Sequence, residues 1–254
     1  MSSTPAPAGP AEADPSLRQH LALALDVDDL VLACRIAADL QPFFGVVKVG
    51  LELFAAAGPD AVGAFVEAGF DVFLDLKLHD IPTTVGKSAR VIGALGASYL
   101  TLHAMGGNAM VRAGVEGLGE GAQAAGLPVP TALAVTVLTS DGGAPAHILG
   151  KRVQIALEAG CPGIVCAVGD VAEAKELAPR IFVVTPGIRP AGSGSNDQAR
   201  AATPAAARAV GADLLVIGRA VTHATDRAGA AAALHAELAA PRQALAGGAG
   251  GSAR

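Results

Sequence analysis

Short apolar runs alternate along this chain with longer alanine-rich segments whose apolar positions recur near helical spacing. The runs are LALALD (21–26), FGVVKVG (44–50), DVFLDLK (71–77), SYLTLHA (98–104), PTALAVTVL (130–138), GIVCAV (163–168), IFVVTP (181–186) and DLLVIG (213–218). Between them lie segments such as DDLVLACRIAADL, PDAVGAFVEAG, TTVGKSARVIGALG and HILGKRVQIALEAG, several closed by a glycine that suits a helix C-terminus. Strands that are apolar almost throughout point to a parallel sheet covered by helices. Eight strand–helix units in about 225 residues fit a (β/α)8 TIM barrel forming one domain better than an open doubly wound sheet. The first strand–helix turn also lacks the G-x-G-x-x-G of a dinucleotide site.

Composition narrows the picture. The chain has 254 residues, 52% of them hydrophobic, and no uninterrupted apolar stretch of the roughly 18–20 residues that a membrane helix needs, so the apolar content belongs to a core. Net charge is −5 with no basic run, which argues against nucleic acid as a partner. Cys34, Cys161 and Cys166 show no metal-ligand or disulfide spacing and read as small buried hydrophobes in a reducing compartment, the cytoplasm. The segment 1–16, MSSTPAPAGPAEADPS, has neither the basic nor the apolar part of a signal peptide and reads as a disordered tail. Residues 245–254 read as a flexible C-terminal tail, leaving 17–244 as the barrel domain.

A barrel of this type does its chemistry at the C-terminal ends of its strands. Those ends carry Asp26, Lys48, the set Asp75/Lys77/Asp80, His103, Thr139-Ser140, Arg189 and Gly218-Arg219, whereas the strands are otherwise apolar. The densest group lies in FLDLKLHDIPTTV (73–85). Alternation along a strand puts Asp75 and Lys77 on one side, and an inward face would desolvate both. Lys48 on the adjacent strand would extend an alternating array, and Asp80 follows in a short loop closed by Ile81-Pro82. A purely structural ion-pair network is the plainer alternative, but interior ion pairs are a poor route to stability. His79 reads as structural. The loops after the seventh and eighth strands, TPGIR and VIGRA, each pair a glycine with an arginine, as a phosphate site there requires. The segment RPAGSGSNDQ (189–198) is Gly/Ser-rich and reads as a lid.

DLKLHDIPTTV, together with VKVG, VTVLTS, FVVTPGIR and VIGR in order, closely resembles the orotidine 5′-phosphate decarboxylase family over nearly the whole folded chain. The resemblance implies decarboxylation of orotidine monophosphate to uridine monophosphate, the last step of de novo pyrimidine synthesis, without metal, flavin or pyridoxal. It implies Lys77 as proton donor to C6, Asp75 facing the departing carboxylate and Lys48 linking Asp75 to a ribose hydroxyl. Asp26 would bind ribose. Asp80 and Thr84 would reach the partner's site across a homodimer interface. Thr139 and Ser140 would recognise the base. Arg189, Gln198, Gly218 and Arg219 would grip the phosphate, and Pro186 would contact the substrate. His103 matches a recurring family histidine with no assigned role.

Two rivals stand beside this reading. A metal-dependent sugar-phosphate decarboxylase or aldolase-like synthase on the same barrel would share Asp75, Lys77 and Asp80, but would lack the LTS segment (138–140) and would fail in chelator. A non-catalytic nucleotide-binding barrel would have little use for such a charge array beside an anionic ligand.

Overall fold

The computed structural model describes residues 14–138, 145, 147–189 and 202–240. Eight parallel strands follow one another in sequence order and close into a barrel: β1 (Leu21–Leu25), β2 (Val46–Gly50), β3 (Asp71–Leu78), β4 (Tyr99–His103), β5 (Thr131–Val135), β6 (Gly163–Val165), β7 (Phe182–Thr185) and β8 (Leu214–Ile217). Each expected run contains its strand, β3 extending one residue further. The helices are α1 (Pro15–Arg18), α2 (Leu30–Leu40), α3 (Leu51–Ala57), α4 (Asp60–Glu67), α5 (Pro82–Gly93), α6 (Gly107–Ala125), α7 (Ile148–Glu158), α8 (Val171–Leu177), α9 (Pro204–Ala209), α10 (Arg219–Thr222) and α11 (Arg227–Ala239). Local chemistry explains several starts. Asp29 accepts the Leu32 N–H at 2.9 Å ahead of α2, Pro82 opens α5, and Asp226 accepts the Gly229 N–H at 2.8 Å ahead of α11. Among the described residues no helix is long and apolar enough to cross a membrane.

Strand alternation divides the apolar side chains between two layers. One set, including Leu23, Val47, Val72, Leu100 and Ile217, packs outward under the helices. The other, including Ala22, Val46, Phe73, Leu133, Val184 and Leu214, fills the barrel. Tyr99 stacks on Phe182 with ring centroids 5.9 Å apart, and Phe73 meets Tyr99 edge-on at 6.1 Å. These rings close the floor, and beside them Gly163 makes room for Leu133: a Cβ there would fall 2.6 Å from the Leu133 side chain. Each large apolar side chain buried this way contributes about 1.5–3 kcal/mol. Above these apolar residues the inward positions turn polar, with Lys48, Asp75 and Thr101 in the upper layer.

Helices α5 and α6 touch backbone to backbone. A Cβ at Gly117 would lie 2.2 Å from the Gly86 carbonyl oxygen, and one at Gly121 only 1.9 Å from that of Arg90. Only glycine permits this approach, which fixes the seat of α5 and hence of the Asp80 loop that leads into it. The three cysteines are free thiols, Cys161 and Cys166 buried and Cys34 half-buried. Burial pushes Cys161 up to about 11 and Cys166 up to about 12.

Candidate active site

At the C-terminal mouth of the barrel β1, β2 and β3 bring four charges together. The Lys77 ammonium donates to Asp75 Oδ1 at 2.8 Å. Lys48 Nζ lies 3.7 Å from Asp75 Oδ2 and donates to Asp26 Oδ1 at 3.0 Å. The side chains grade from interior to solvent: Lys48 is 11% exposed, Asp75 13%, Lys77 34% and Asp26 58%. Lys48, Asp75 and Lys77 therefore alternate as expected, but the fourth place is taken by Asp26, and Asp80, expected to complete the array, enters no ion pair among the described residues. Removing one partner from such a group leaves a desolvated charge uncompensated, at a cost of about 3–5 kcal/mol.

Two features of this arrangement were not expected. First, β3 does not pair regularly with β4. Leu74 opposes Leu100 and Leu78 opposes Leu102, so Asp75, Leu76 and Lys77 face Thr101 alone. Lys77 has φ of +50°, and among the described residues it is the one non-glycine in that region. Such a backbone costs roughly 1–2 kcal/mol for a residue bearing a Cβ. Second, Thr101 is fully buried, accepts the Lys77 N–H at 2.8 Å and donates its hydroxyl to Asp75 Oδ1 at 3.0 Å. The clue in the sequence was a hydroxyl at an inward position of TLHA, two residues before the strand end.

Gly50 closes the same wall. A Cβ there would sit 3.0 Å from Lys48 Nζ and 3.2 Å from Asp26 Oδ1, inside the contact that joins those two charges. Asp80 is exposed beyond β3, accepts the Ile81 N–H at 2.6 Å, and enters no ion pair among the described residues. Thr84, on the first turn of α5, is exposed as well. His79 and His103 lie ring against ring, centroids 5.4 Å apart. Burial holds His103 below its ordinary value of 6.5, and the neighbouring His79, Arg152 and Lys77 push it the same way. Arg152 of α7 also donates to the Thr136 carbonyl, fixing the chain just after β5.

On the far side of the mouth, β7 runs into Pro186 and Gly187, whose φ of +78° favours glycine, then Ile188 and Arg189. The Arg189 N–H donates to the Ala202 carbonyl at 3.0 Å, so the chain on either side of 190–201 meets there. Gly218 follows β8 and precedes Arg219, the first residue of α10. Thr139, Ser140 and Gln198, and most of the segment 189–198 expected to form a lid, lie outside the described residues.

Comparison with known proteins agrees with this geometry. Residues 19–234 match the model of the orotidine 5′-phosphate decarboxylase / HUMPS family. The chain is 47% identical over 230 residues to an orotidine 5′-phosphate decarboxylase of Thermobifida fusca, covering 86% of this chain and 95% of that one. It is 45% identical over 223 residues to one of Anaeromyxobacter sp. (strain K), covering 87% and 98%. Among solved structures, the orotidine 5′-phosphate decarboxylase of Lactobacillus acidophilus superposes with a TM-score of 0.71 at 34% identity, covering 87% of this chain and 99% of that one. The barrel, the charge array at its mouth and these similarities lead to one assignment: the chain belongs to the orotidine 5′-phosphate decarboxylase / HUMPS family.

Proposed function

We propose that this protein removes CO2 from C6 of orotidine 5′-phosphate to give uridine 5′-phosphate, the closing step of de novo pyrimidine synthesis, and that Lys77, Asp75 and Lys48, with an Asp80 contributed across a homodimer interface, carry the reaction while Asp26 binds ribose. The observation behind the proposal is the Lys77–Asp75 contact of 2.8 Å, flanked by Lys48 at the C-terminal mouth, in a chain whose curated relatives bear that enzyme's name. Breaking the C6–carboxylate bond leaves its electron pair on C6. Lys77, 34% exposed and held by Asp75, delivers a proton there. Asp75 faces the departing carboxylate, and Lys48 ties Asp75 to Asp26 and a ribose hydroxyl.

One ammonium does not suffice. At about 4 Å it stabilises a developing anion by about 4 kcal/mol at an effective dielectric near 20, whereas the most proficient enzymes lower barriers by roughly 20 kcal/mol. Preorganisation supplies a second contribution, because charges already fixed to one another need no rearrangement as the anion forms. Phosphate binding supplies a third. Arg189, Gln198, Gly218 and Arg219 grip the phosphate, Pro186 contacts the substrate beside them, and the energy of that remote contact is spent on holding the base in place for reaction. At Gly218 a Cβ would make only an ordinary 3.6 Å contact with Ala24, so the backbone there is open to a close approach by phosphate. Thr139 and Ser140 recognise the base.

The proposal includes a homodimer in which Asp80 and Thr84 act in the partner's site, in keeping with their exposure and with the absence of Asp80 from the ion pairs of its own rim among the described residues. It also places the barrel domain at 17–244 with tails 1–16 and 245–254, the enzyme in the cytoplasm, and no cofactor in the reaction. The test is the absorbance change of orotidine 5′-phosphate with purified protein, with and without EDTA. The expected result is one rate in both. Loss of the rate in EDTA would favour metal-dependent sugar-phosphate chemistry on this barrel, and no consumption at all would overturn the proposal.

A further inference from the structure

We propose that Thr101 is a positioning residue for the reaction, its hydroxyl setting the backbone of Lys77 and thereby the aim of the Lys77 ammonium. This rests on the decarboxylase reading above for its kinetic consequence but not for its structural one. In a regular ladder, inward residues two apart along β3 are separated by about 6.6 Å and each faces its own inward neighbour on the next strand. Here Asp75 and Lys77 share a single inward neighbour, Thr101, because three residues of β3 are fitted against one of β4. The outward residues around them, Leu74, Leu76 and Leu78, still pack beneath the helices. The irregularity therefore keeps alternation intact while crowding two charged side chains into one rung, where they meet at 2.8 Å.

A bulge leaves ladder groups without their usual partners. The Lys77 N–H is such a group, and Thr101 Oγ1 takes it at 2.8 Å. The same hydroxyl donates its hydrogen bond to Asp75 Oδ1 at 3.0 Å. One buried oxygen thus holds the backbone of the proton donor and the carboxylate that orients its ammonium. A φ of +50° at a lysine persists only where the surroundings impose it, and Thr101 is positioned to do so. It touches no reacting atom in this account.

The test compares Thr101→Val, which keeps the shape and removes the hydroxyl, with Thr101→Ser, which restores it. In Thr101→Val, kcat should fall by about 10²-fold while KM changes far less, because a donor misplaced by an ångström loses rate on that scale. Hydrogen exchange at the Lys77 amide, read by NMR on unliganded protein, should speed up about tenfold, the scale of one lost hydrogen bond, while the Leu74 amide stays as it was. Thr101→Ser should restore both. An unchanged kcat in Thr101→Val overturns the inference. So does a reduced kcat with unaltered Lys77 exchange, which would reduce Thr101 to a partner of Asp75 alone. If Thr101→Val does not fold, Thr101→Cys is read the same way. The exchange measurement stands even if orotidine 5′-phosphate proves not to be the substrate.

Discussion

Two lysine–aspartate pairs sit at opposite ends of the barrel, equally short and differently built. At the floor, Lys175 of α8 meets Asp213, just ahead of β8, at 2.8 Å. Its ammonium also donates to the Ile181 carbonyl at 2.7 Å, and Asp213 Oδ2 accepts the Val183 N–H at 2.8 Å. Both charges are tied to main chain, so the pair fastens α8 to the starts of β7 and β8. At the mouth, Lys77 also meets Asp75 at 2.8 Å, but Asp75 gives its oxygens to side chains: Lys77, Lys48 and Thr101. Among the described residues Asp75 is the one protein partner of the Lys77 ammonium, which leaves donor capacity for a ligand. A pair closed by backbone is a fastener, and a pair closed by other charges at an open edge is a site.

Breaking each pair should separate the two roles. Asp75→Asn leaves Lys48 and Lys77 without the carboxylate between them, and we expect kcat/KM for orotidine 5′-phosphate to drop by about 10³-fold or more, a loss on the scale of preorganised electrostatic contacts. Steady-state kinetics well below the melting temperature checks this; a loss under tenfold would remove the array from the chemistry. Gly50→Ala sharpens the comparison at the mouth. The added methyl intrudes on the Lys48–Asp26 contact, and kcat/KM should fall about tenfold with little change in melting temperature, since about 1.4 kcal/mol of lost transition-state stabilisation is one decade. Full activity would show that Lys48 relaxes at no cost.

Lys175→Met should do the reverse. It should cost about 1–2 kcal/mol and lower the melting temperature by roughly 2–8 °C, leaving kcat and KM at 25 °C unchanged. A rate defect in soundly folded Lys175→Met would erase the distinction between the pairs. The smallest effect concerns His103. Its folded-state pKa is lowered, so the unfolded chain takes the proton first as pH falls below the ordinary 6.5. Its cost to stability is absent above that pH and grows below it. His103→Gln should therefore lose less melting temperature than the parent between pH 7.5 and pH 5, by thermal melts. An equal loss in both proteins would place the acid sensitivity elsewhere.

Much of this was legible from sequence because barrel strands are buried on both faces and read as unbroken apolar runs, so the charges at Asp26, Lys48, Asp75 and Lys77 stood out against them. The strand rule also put Asp75 and Lys77 on one side, as they are. Position 77, however, adopts its backbone through a tertiary contact with Thr101 that no pattern within β3 encodes. A scan of strand ends reads His103 and passes over Thr101 deeper in the same strand. Helix α6 is obscure for a different reason. Gly114, Gly117, Gly119 and Gly121 weaken its helical signal, yet Gly117 and Gly121 are what let it lie against α5. Its helicity is decided by that packing.

The proposed mechanism makes Lys77 the donor of the proton to C6. Its most direct test is the turnover of orotidine 5′-phosphate by Lys77→Ala beside the parent enzyme, at matched fold and with bound nucleotide confirmed. A loss of about 10⁴-fold or more is expected, the combined scale of a missing general acid and a missing charge. Turnover within tenfold of the parent would contradict it.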